Sequence, residues 1–223
     1  MAILLKNSAI LHVPKTGGKF VRDVIGRECY GARKTPNDTP CTGPIAELMG
    51  PQSSHGIPYN DPEYLDKKHI LLFIRHPVTW LQSYWAFRQN SVNINFTWGD
   101  TPFDLTCQAD TFAGFIELYL DNYSGFITSL FNQYIKEADR DVMVVVGYQE
   151  KILSTLFGFL LKYEDFQLDP PKQLYRVNAS DKRAAIYAPG QVKRVCKAER
   201  QIVDNFYQGY RIYDDVLQEL TTI

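Results

Sequence analysis

Three short apolar runs, each followed by a turn and then by a helical repeat, organise this chain of 223 residues. The runs cover residues 9–13, 70–74 and 142–146, the length typical of buried strands. After each run, apolar residues recur at helical spacing. Pro77 lies at a predicted helix start, where a backbone N–H has no partner within the helix, so its missing N–H is no loss. Strand, turn and helix repeated three times predict an α/β fold with a mainly parallel central sheet flanked by helices.

The segments between these units differ in character. Residues 31–62 are rich in Gly, Pro, Ser and Asn, which predicts a loop. Residues 110–136 carry aromatic side chains at helical spacing, and a second loop at 166–190 precedes a helix predicted over 191–207. Since there is no internal repeat and no linker, we expect one domain over residues 1–223.

The composition excludes some function classes. With 45% apolar and 13% aromatic residues the chain can bury a sizeable core, and its net charge of -1 argues against a nucleic-acid partner. Residues 1–35 and 172–200 are nevertheless basic. Charge runs are usually solvated faces; the alternative is that both blocks converge on a small polyanion.

The cysteines and the N-terminus bear on localisation. Four cysteines stand far apart without metal-ligand spacing, which indicates free thiols in a reducing compartment: Cys29, Cys41, Cys107 and Cys196. The apolar residues 3–5 are too few for a signal peptide, and no run is long enough for a membrane span. We expect a soluble cytoplasmic protein, although a chain cut from a membrane-anchored precursor would show the same pattern.

The turn "PKTGGK", residues 14–19, follows the first predicted strand and opens the first helix. Ligands of open parallel sheets bind beyond the carboxyl ends of the strands. Two glycines let the backbone approach a ligand, and a helix start offers unpaired N–H groups. Lys15 and Lys19 add positive charge, so we interpret the turn as an anion site rather than as an ordinary Gly-rich turn.

A loop of nucleoside triphosphatases and kinases, G-x-x-x-x-G-K-[ST], is the obvious alternative. Gly18 and Lys19 match it, but Val13 occupies the place of the first glycine and Phe20 that of the hydroxyl residue. That hydroxyl binds magnesium, so its loss matters. The second predicted strand also ends in Arg75 rather than in an acid, which favours an anion over a metal.

Arg75 is followed eight residues later by Ser83, about two turns into the next predicted helix. A guanidinium binds phosphate through two parallel hydrogen bonds, and a hydroxyl can add a third. The pair therefore suits a terminal phosphate monoester.

Here the sequence resembles a family. "PKTGGKF" resembles the 5′-phosphosulfate loop of the sulfotransferases, and "IRHPVTWLQSYW" is similar to their 3′-phosphate motif. "VMVVVGYQEKIL" resembles the strand and helix start that follow in the family, and "YRVNAS" a segment near its C-terminal cofactor loop. The resemblance implies a P-loop-like, three-layer fold. It also implies the donor 3′-phosphoadenosine 5′-phosphosulfate, the product adenosine 3′,5′-bisphosphate, no metal, and a hydroxyl-bearing acceptor, with carbohydrate one candidate.

The resemblance also implies the residues that bind the donor. Those in the two motifs are Lys15, Thr16, Gly17, Gly18, Lys19, Phe20, Arg75 and Ser83. A late loop of the family supplies another cation to the 3′-phosphate, and either Lys182 or Arg183 fits this role. Hydroxyl residues commonly stand where this chain has Gly18 and Lys19, so backbone N–H groups and Lys19 are expected to replace them. Phe20 is either an adenine contact or a core residue.

Sulfuryl transfer needs positive charge at the leaving oxygen and a base at the entering one. The resemblance and the loop position assign the first role to Lys15. His55, on a Gly/Pro loop between the two motifs, is the candidate base, since an imidazole with a pKa of about 6.5 suits neutral pH. The alternative for His55 is a surface loop residue.

The remaining candidates are interpreted more plainly. Of the three further histidines, His12 and His69 are expected to be structural, whereas His76 serves either packing or the phosphate; Asp61 and Glu63 are reserve bases. Two other functions stay open: a P-loop kinase or triphosphatase, and a catalytically silent nucleotide-binding module. The acceptor class, whether sugar, lipid, phenol or peptide, and the oligomeric state are not predicted.

Overall fold

A twisted sheet in the strand order β3-β1-β2-β4-β5 runs through the protein. The computed structural model describes residues 2–28, 33–34, 40–53, 55–58, 60–89, 99–138, 142–164 and 182–208. The strands are β1 (Ala2–Leu4), β2 (Ser8–Leu11), β3 (Arg33–Lys34), β4 (His69–Ile74) and β5 (Met143–Tyr148).

The three longest strands are parallel. β2 pairs with β4 from Ser8 opposite His69, and β4 pairs with β5 from His69 opposite Met143. β1 lies antiparallel to β2, and β3 antiparallel to β1, so the antiparallel strands occupy one side of the sheet. The carboxyl ends of β2 and β4 therefore lie side by side, which is where the two sequence motifs begin.

Helices cover both faces of the sheet. Their bounds are α1 (Gly18–Glu28), α2 (Gly43–Met49), α3 (Pro62–Leu65), α4 (Pro77–Gln89), α5 (Pro102–Cys107), α6 (Phe112–Asn122), α7 (Phe126–Ala138), α8 (Ile152–Tyr163), α9 (Gln191–Ala198) and α10 (Arg200–Phe206). A single 3₁₀ turn, Gln149–Lys151, joins β5 to α8.

Alternation along β4 explains the two covered faces. Ile70, Leu72 and Ile74 join a large core with side chains of α4, α6, α7 and α9, whereas Leu71 and Phe73 join a smaller core with α1 and α8. Because side chains alternate along a strand, a strand covered on both faces is apolar at every position. Each such buried side chain contributes about 1.5–3 kcal/mol of hydrophobic free energy. The prediction of a mixed α/β fold with a mostly parallel sheet is confirmed.

Several boundaries differ from the prediction. β1 was not predicted, because three residues carry too little pattern; it is held by a tight turn to β2. Helix α2 lies within residues 31–62, which the composition assigned to a loop, and α3 begins at the last residue of that range. β2 ends at Leu11 rather than at residue 13, which moves His12 out of the strand.

The helix predicted over residues 191–207 is two helices, α9 and α10, separated at Glu199. The Glu199 carboxylate is buried and accepts hydrogen bonds from the Tyr119 hydroxyl and from the Thr128 backbone N–H, 2.7 Å away in the latter case. Burial raises the pKa of Glu199. The break coincides with a tertiary contact that no local pattern shows.

Two further expectations concern the cysteines and the membrane. Cys41, Cys107 and Cys196 are buried free thiols, as predicted, whereas Cys29 lies outside the described residues. Among the helices in the described ranges, none has the length and apolar character needed to cross a membrane.

Candidate anion-binding site

The loop between β2 and α1 has an unusual backbone. Lys15 has φ 64 and Gly17 has φ 92, both in the left-handed region. A lysine rarely adopts this conformation, which costs about 1–3 kcal/mol and persists only where the surroundings enforce it. Such turns are typical of backbone concavities lined by N–H groups that bind anions. The strain is therefore consistent with a functional loop.

Three hydrogen bonds hold the loop from behind. The Thr16 hydroxyl donates to the Val13 carbonyl (2.9 Å), Trp80 Nε1 donates to the Pro14 carbonyl (3.0 Å), and Arg75 Nη1 donates to the Lys15 carbonyl (3.2 Å). The carbonyl oxygens are thereby engaged. The first intrahelical bond of α1 runs from Val21 N–H to the Gly17 carbonyl, so the preceding N–H groups of the first turn lack helical partners.

Lys15 is the central cation of the loop. Burial, followed by the charges of Arg75, Arg88 and Lys182 in that order, lowers its pKa to about 7. Its Nζ lies 3.9 Å from the centre of the Phe87 ring. Across the described ranges no carboxylate forms an ion pair with Lys15. Within the described part of the protein, the positive charge of Lys15 is therefore not neutralised by an ion pair.

Arg75 directly follows β4 and is only 8% exposed. Its Nε donates to Thr79 Oγ1 (3.1 Å) and its Nη1 to the loop, so two of its five N–H groups are used within the described residues. Burial lowers the pKa of Arg75 to about 10, although Glu150 and Tyr207 act in the opposite direction. A guanidinium fixed in this way presents its remaining donors without a further loss of side-chain entropy.

Ser83 and the late basic residues lie around α4. Ser83 is buried on this helix. Gln82 Nε2 donates to the Ala185 carbonyl (3.0 Å) and the Tyr187 hydroxyl to the Val78 carbonyl (2.9 Å), so the segment 182–188 packs on α4. Lys182 is half-buried and its charge reaches Lys15, whereas the Arg183 side chain is exposed. Of the two candidates, Lys182 is the one brought to the loop; the "YRVNAS" segment lies outside the described residues.

His55 also reaches this loop. The charge of Lys15 contributes to its lowered pKa, after burial and after the neighbouring His12. Its Nδ1 lies 2.9 Å from Ser53 Oγ, and its backbone carbonyl accepts a hydrogen bond from the Tyr134 hydroxyl (2.7 Å). His55 is thus a half-buried and anchored residue rather than a surface one.

The environment changes the expected chemistry of His55. Burial lowers its pKa to about 3, so the expectation of an ordinary imidazole pKa does not hold in the free protein. The imidazole is neutral at pH 7 and free to accept a proton, but it is a weak base in this state. An anion bound beside Lys15 would raise its pKa, since a nearby negative charge favours the imidazolium.

His12 is a site residue that the sequence reading placed inside a strand. It follows β2, and its ring centre lies 4.7 Å from that of His55. A Cβ at Gly18 would come within 1.9 Å of His12 Cδ2. The imidazole therefore requires glycine at position 18, a link that neither residue type shows by itself.

Arg88 and Phe87 also belong to the site, although the sequence motifs did not indicate them. Arg88 pairs with the buried Asp104, and the Tyr84 hydroxyl donates to Asp104 Oδ1 (2.7 Å), so the guanidinium near Lys15 is held in place. Phe87 stands one turn after Ser83, and residues four apart share a helix face. That spacing was the available signal for Phe87; the contact of Arg88 with Asp104 had none.

The remaining residues predicted to bind the nucleotide donor are Thr16, Lys19 and Phe20. The Thr16 hydroxyl braces the loop, and the Lys19 side chain is exposed at the start of α1. Phe20 is half-buried and packs on the smaller core with Val145 and Ile152. This supports the core alternative for Phe20.

The other histidines and acids have structural contacts. His69 stacks on Tyr163, and His76 Nδ1 accepts the Val78 N–H at the start of α4. Asp61 caps α3, and Glu63 lies 3.5 Å from Lys67 Nζ in an ion pair. In the described part of the chain, no group of three or more His, Cys, Asp or Glu side chains is arranged to hold a metal ion.

The site thus combines a strained backbone loop, four converging cations and a pair of neutral imidazoles at the carboxyl edge of parallel strands. No protein-family model, no curated protein and no solved structure matches the chain.

Proposed function

We propose that this protein is a sulfotransferase with a P-loop-like, three-layer fold. It transfers a sulfuryl group from 3′-phosphoadenosine 5′-phosphosulfate to an acceptor hydroxyl. The observation that carries the proposal is the convergence of Lys15, Arg75, Arg88 and Lys182 around one backbone loop, with Lys15 unpaired in the described residues. Such charge is costly to bury and is retained where an anionic ligand compensates it.

The two phosphate-bearing ends of the donor fit two parts of the site. The N–H groups at the start of α1 and Lys15 suit the 5′-phosphosulfate, because a helix start and a mobile cation both favour an anion. Arg75 and Ser83 suit the 3′-phosphate, which the resemblance assigns to them, and Lys182, whose charge reaches Lys15, is the further cation for it.

The reaction is an in-line displacement at sulfur. The acceptor oxygen attacks sulfur, the bond from sulfur to the 5′-phosphate oxygen breaks, and that oxygen leaves with the electron pair. Lys15 stabilises the charge on the leaving oxygen, and His55 takes the proton of the acceptor hydroxyl. Adenosine 3′,5′-bisphosphate and the sulfated acceptor are the products, and no metal takes part.

Phe87 gives the acceptor side of the site an apolar surface. Its ring is 45% exposed although it covers Lys15 Nζ. An aromatic face beside the reacting centre suits an acceptor with an apolar face, which sugar rings and phenols both have. The acceptor class is therefore left as a hydroxyl compound, with carbohydrate one candidate.

Incubation with donor carrying labelled sulfur and a panel of sugar, lipid, phenol and peptide acceptors tests this function. We expect transfer to at least one acceptor, and a loss of about 100-fold or more in turnover in His55→Ala with donor affinity preserved. His69→Ala is the matched control, because this imidazole stacks on Tyr163 away from the loop. Donor that neither binds nor is consumed would reject the proposal.

The low pKa of His55 favours a second candidate, a catalytically silent nucleotide-binding module. Such a module would bind adenosine 3′,5′-bisphosphate without transferring sulfuryl to any acceptor. The same incubation decides between the two, since donor binding with no labelled product in any reaction supports the silent module.

A further inference from the structure

We infer that His12 is a further donor-binding residue, whose imidazole Nε2–H donates a hydrogen bond to the 5′-phosphate at the start of α1. The inference rests on the proposed function and names a contact that the sequence motifs do not include. It also accounts for the glycine at position 18.

The position of His12 carries the inference. A Cβ built on Gly18 would lie 1.9 Å from His12 Cδ2 and 2.4 Å from His12 Nε2. The ring therefore fills the space into which the side chain of the first α1 residue would extend. A serine at this position would carry its hydroxyl one bond beyond Cβ, so Nε2 occupies the region from which such a hydroxyl would meet an anion at the helix start.

The hydrogen-bonding state of His12 agrees with this role. Among the described residues, neither ring nitrogen of His12 has a hydrogen-bond partner, and neither is a fully buried unsatisfied atom. The ring is half-buried, and it is neutral at pH 7 because burial lowers its pKa to about 4. A neutral imidazole still carries one N–H, which an anion at the helix start would hold on Nε2.

His12 and His55 then divide the work between them. Their rings lie 4.7 Å apart, and Ser53 Oγ lies 2.9 Å from His55 Nδ1, whereas His12 has no such anchor in the described residues. We assign His55 to the acceptor proton and His12 to the 5′-phosphate. The two roles separate experimentally, because a phosphate contact changes donor affinity and a base changes turnover.

Calorimetric titration with two ligands tests the contact. Adenosine 3′,5′-bisphosphate carries the 5′-phosphate and adenosine 3′-monophosphate lacks it. In His12→Phe, which keeps an aromatic ring, we expect a loss of about ten- to a hundredfold in affinity for the bisphosphate. We expect less than about a twofold change for the monophosphate. His69→Phe should change neither affinity, and thermal melting verifies that each variant is folded.

An exchange of the two residues provides a second test that does not depend on one variant. Gly18 is not left-handed, so serine is compatible with its backbone once the ring is removed. Gly18→Ser alone should weaken bisphosphate binding because the serine clashes with His12. His12→Ala alone should weaken it because the Nε2–H hydrogen-bond donor is lost. The double variant should bind the bisphosphate more tightly than either single variant, since the hydroxyl enters the vacated space.

The outcomes separate this inference from the proposed function. Equal bisphosphate affinity in wild type and His12→Phe would make His12 a packing residue only, while the proposed function stands. Equal losses for both ligands would show that the ring acts on the loop and not on the 5′-phosphate, which also overturns the inference. Failure of the wild-type protein to bind bisphosphate would instead reject the proposed function.

Discussion

Two clusters of polar side chains along α4 differ in charge balance. In the first, Asp104 is fully buried and accepts hydrogen bonds from Tyr84 and Thr101 while it pairs with Arg88. In the second, Arg75 and Lys15 place two cations beside each other; Arg75 precedes α4, and Lys15 Nζ reaches the Phe87 ring near the other end of the helix. The first cluster satisfies itself and stabilises the fold, whereas the second keeps charge for a ligand.

The largest effect on stability is expected when the cluster around Asp104 loses its charge pair. Asp104→Asn keeps the shape of the side chain but removes the negative charge that pairs with the Arg88 guanidinium, which is only 17% exposed. We expect a loss of about 3 kcal/mol in the free energy of unfolding, measured by urea denaturation. The control is Asp204→Asn, which breaks an exposed pair with Arg200 and should cost less than about 0.5 kcal/mol. Equal small losses in both variants would contradict the structural role of Asp104.

A change in the cluster of Lys15 and Arg75 should affect ligand affinity rather than stability. Lys15→Met removes a cation that burial and three like charges disfavour, so the free energy of unfolding should not fall. The affinity for adenosine 3′,5′-bisphosphate should fall about ten- to a hundredfold, because a charge-assisted contact is lost. Calorimetry and urea denaturation of the same variant measure both quantities. A destabilised variant with unchanged affinity would make Lys15 a structural residue.

The pH dependence of binding should show an effect with a defined sign. The pKa of Lys15 is about 7 in the free protein, below its ordinary value, and a bound anion raises it. Binding therefore takes up a proton above pH 7, and the affinity for bisphosphate should weaken by up to about tenfold per pH unit between pH 7 and 9. Titrations in buffers of different ionisation enthalpy measure the uptake.

Lys15→Met serves as the control for this linkage, because it has no proton to take up at that position. Its affinity should vary less with pH over the same range. If wild type and variant show the same pH dependence, another group is responsible and the lowered pKa of Lys15 plays no part in binding.

The two clusters also mark what the sequence could predict. The parallel strands, the start of α4 at Pro77 and the loop with Lys15 and Arg75 follow from local signals: apolar runs, a proline and glycines at strand ends. These signals involve only a few consecutive residues, so they can be recognised without knowledge of the fold. The mixed α/β class and the neighbouring positions of both motifs were therefore predictable.

The rest depends on contacts between distant segments. Arg88 meets Asp104 because α5 packs near the end of α4, and the boundary between α9 and α10 coincides with the contacts of Glu199 to Tyr119 and Thr128. The lowered pKa of His55 likewise follows from burial by other segments. His12 became a site residue because β2 ends two residues earlier than its apolar run. Periodicity carries no information about these contacts.

The most direct test of the central claim is a comparison of two nucleotides as ligands of the same loop. Adenosine 3′,5′-bisphosphate is titrated into the wild-type protein in the presence of a chelator, and ATP is titrated with magnesium in a parallel experiment. We predict that the bisphosphate binds without metal and that ATP with magnesium binds at least about tenfold more weakly and is not hydrolysed. Tight binding and turnover of ATP with magnesium, with no binding of bisphosphate, would contradict the account.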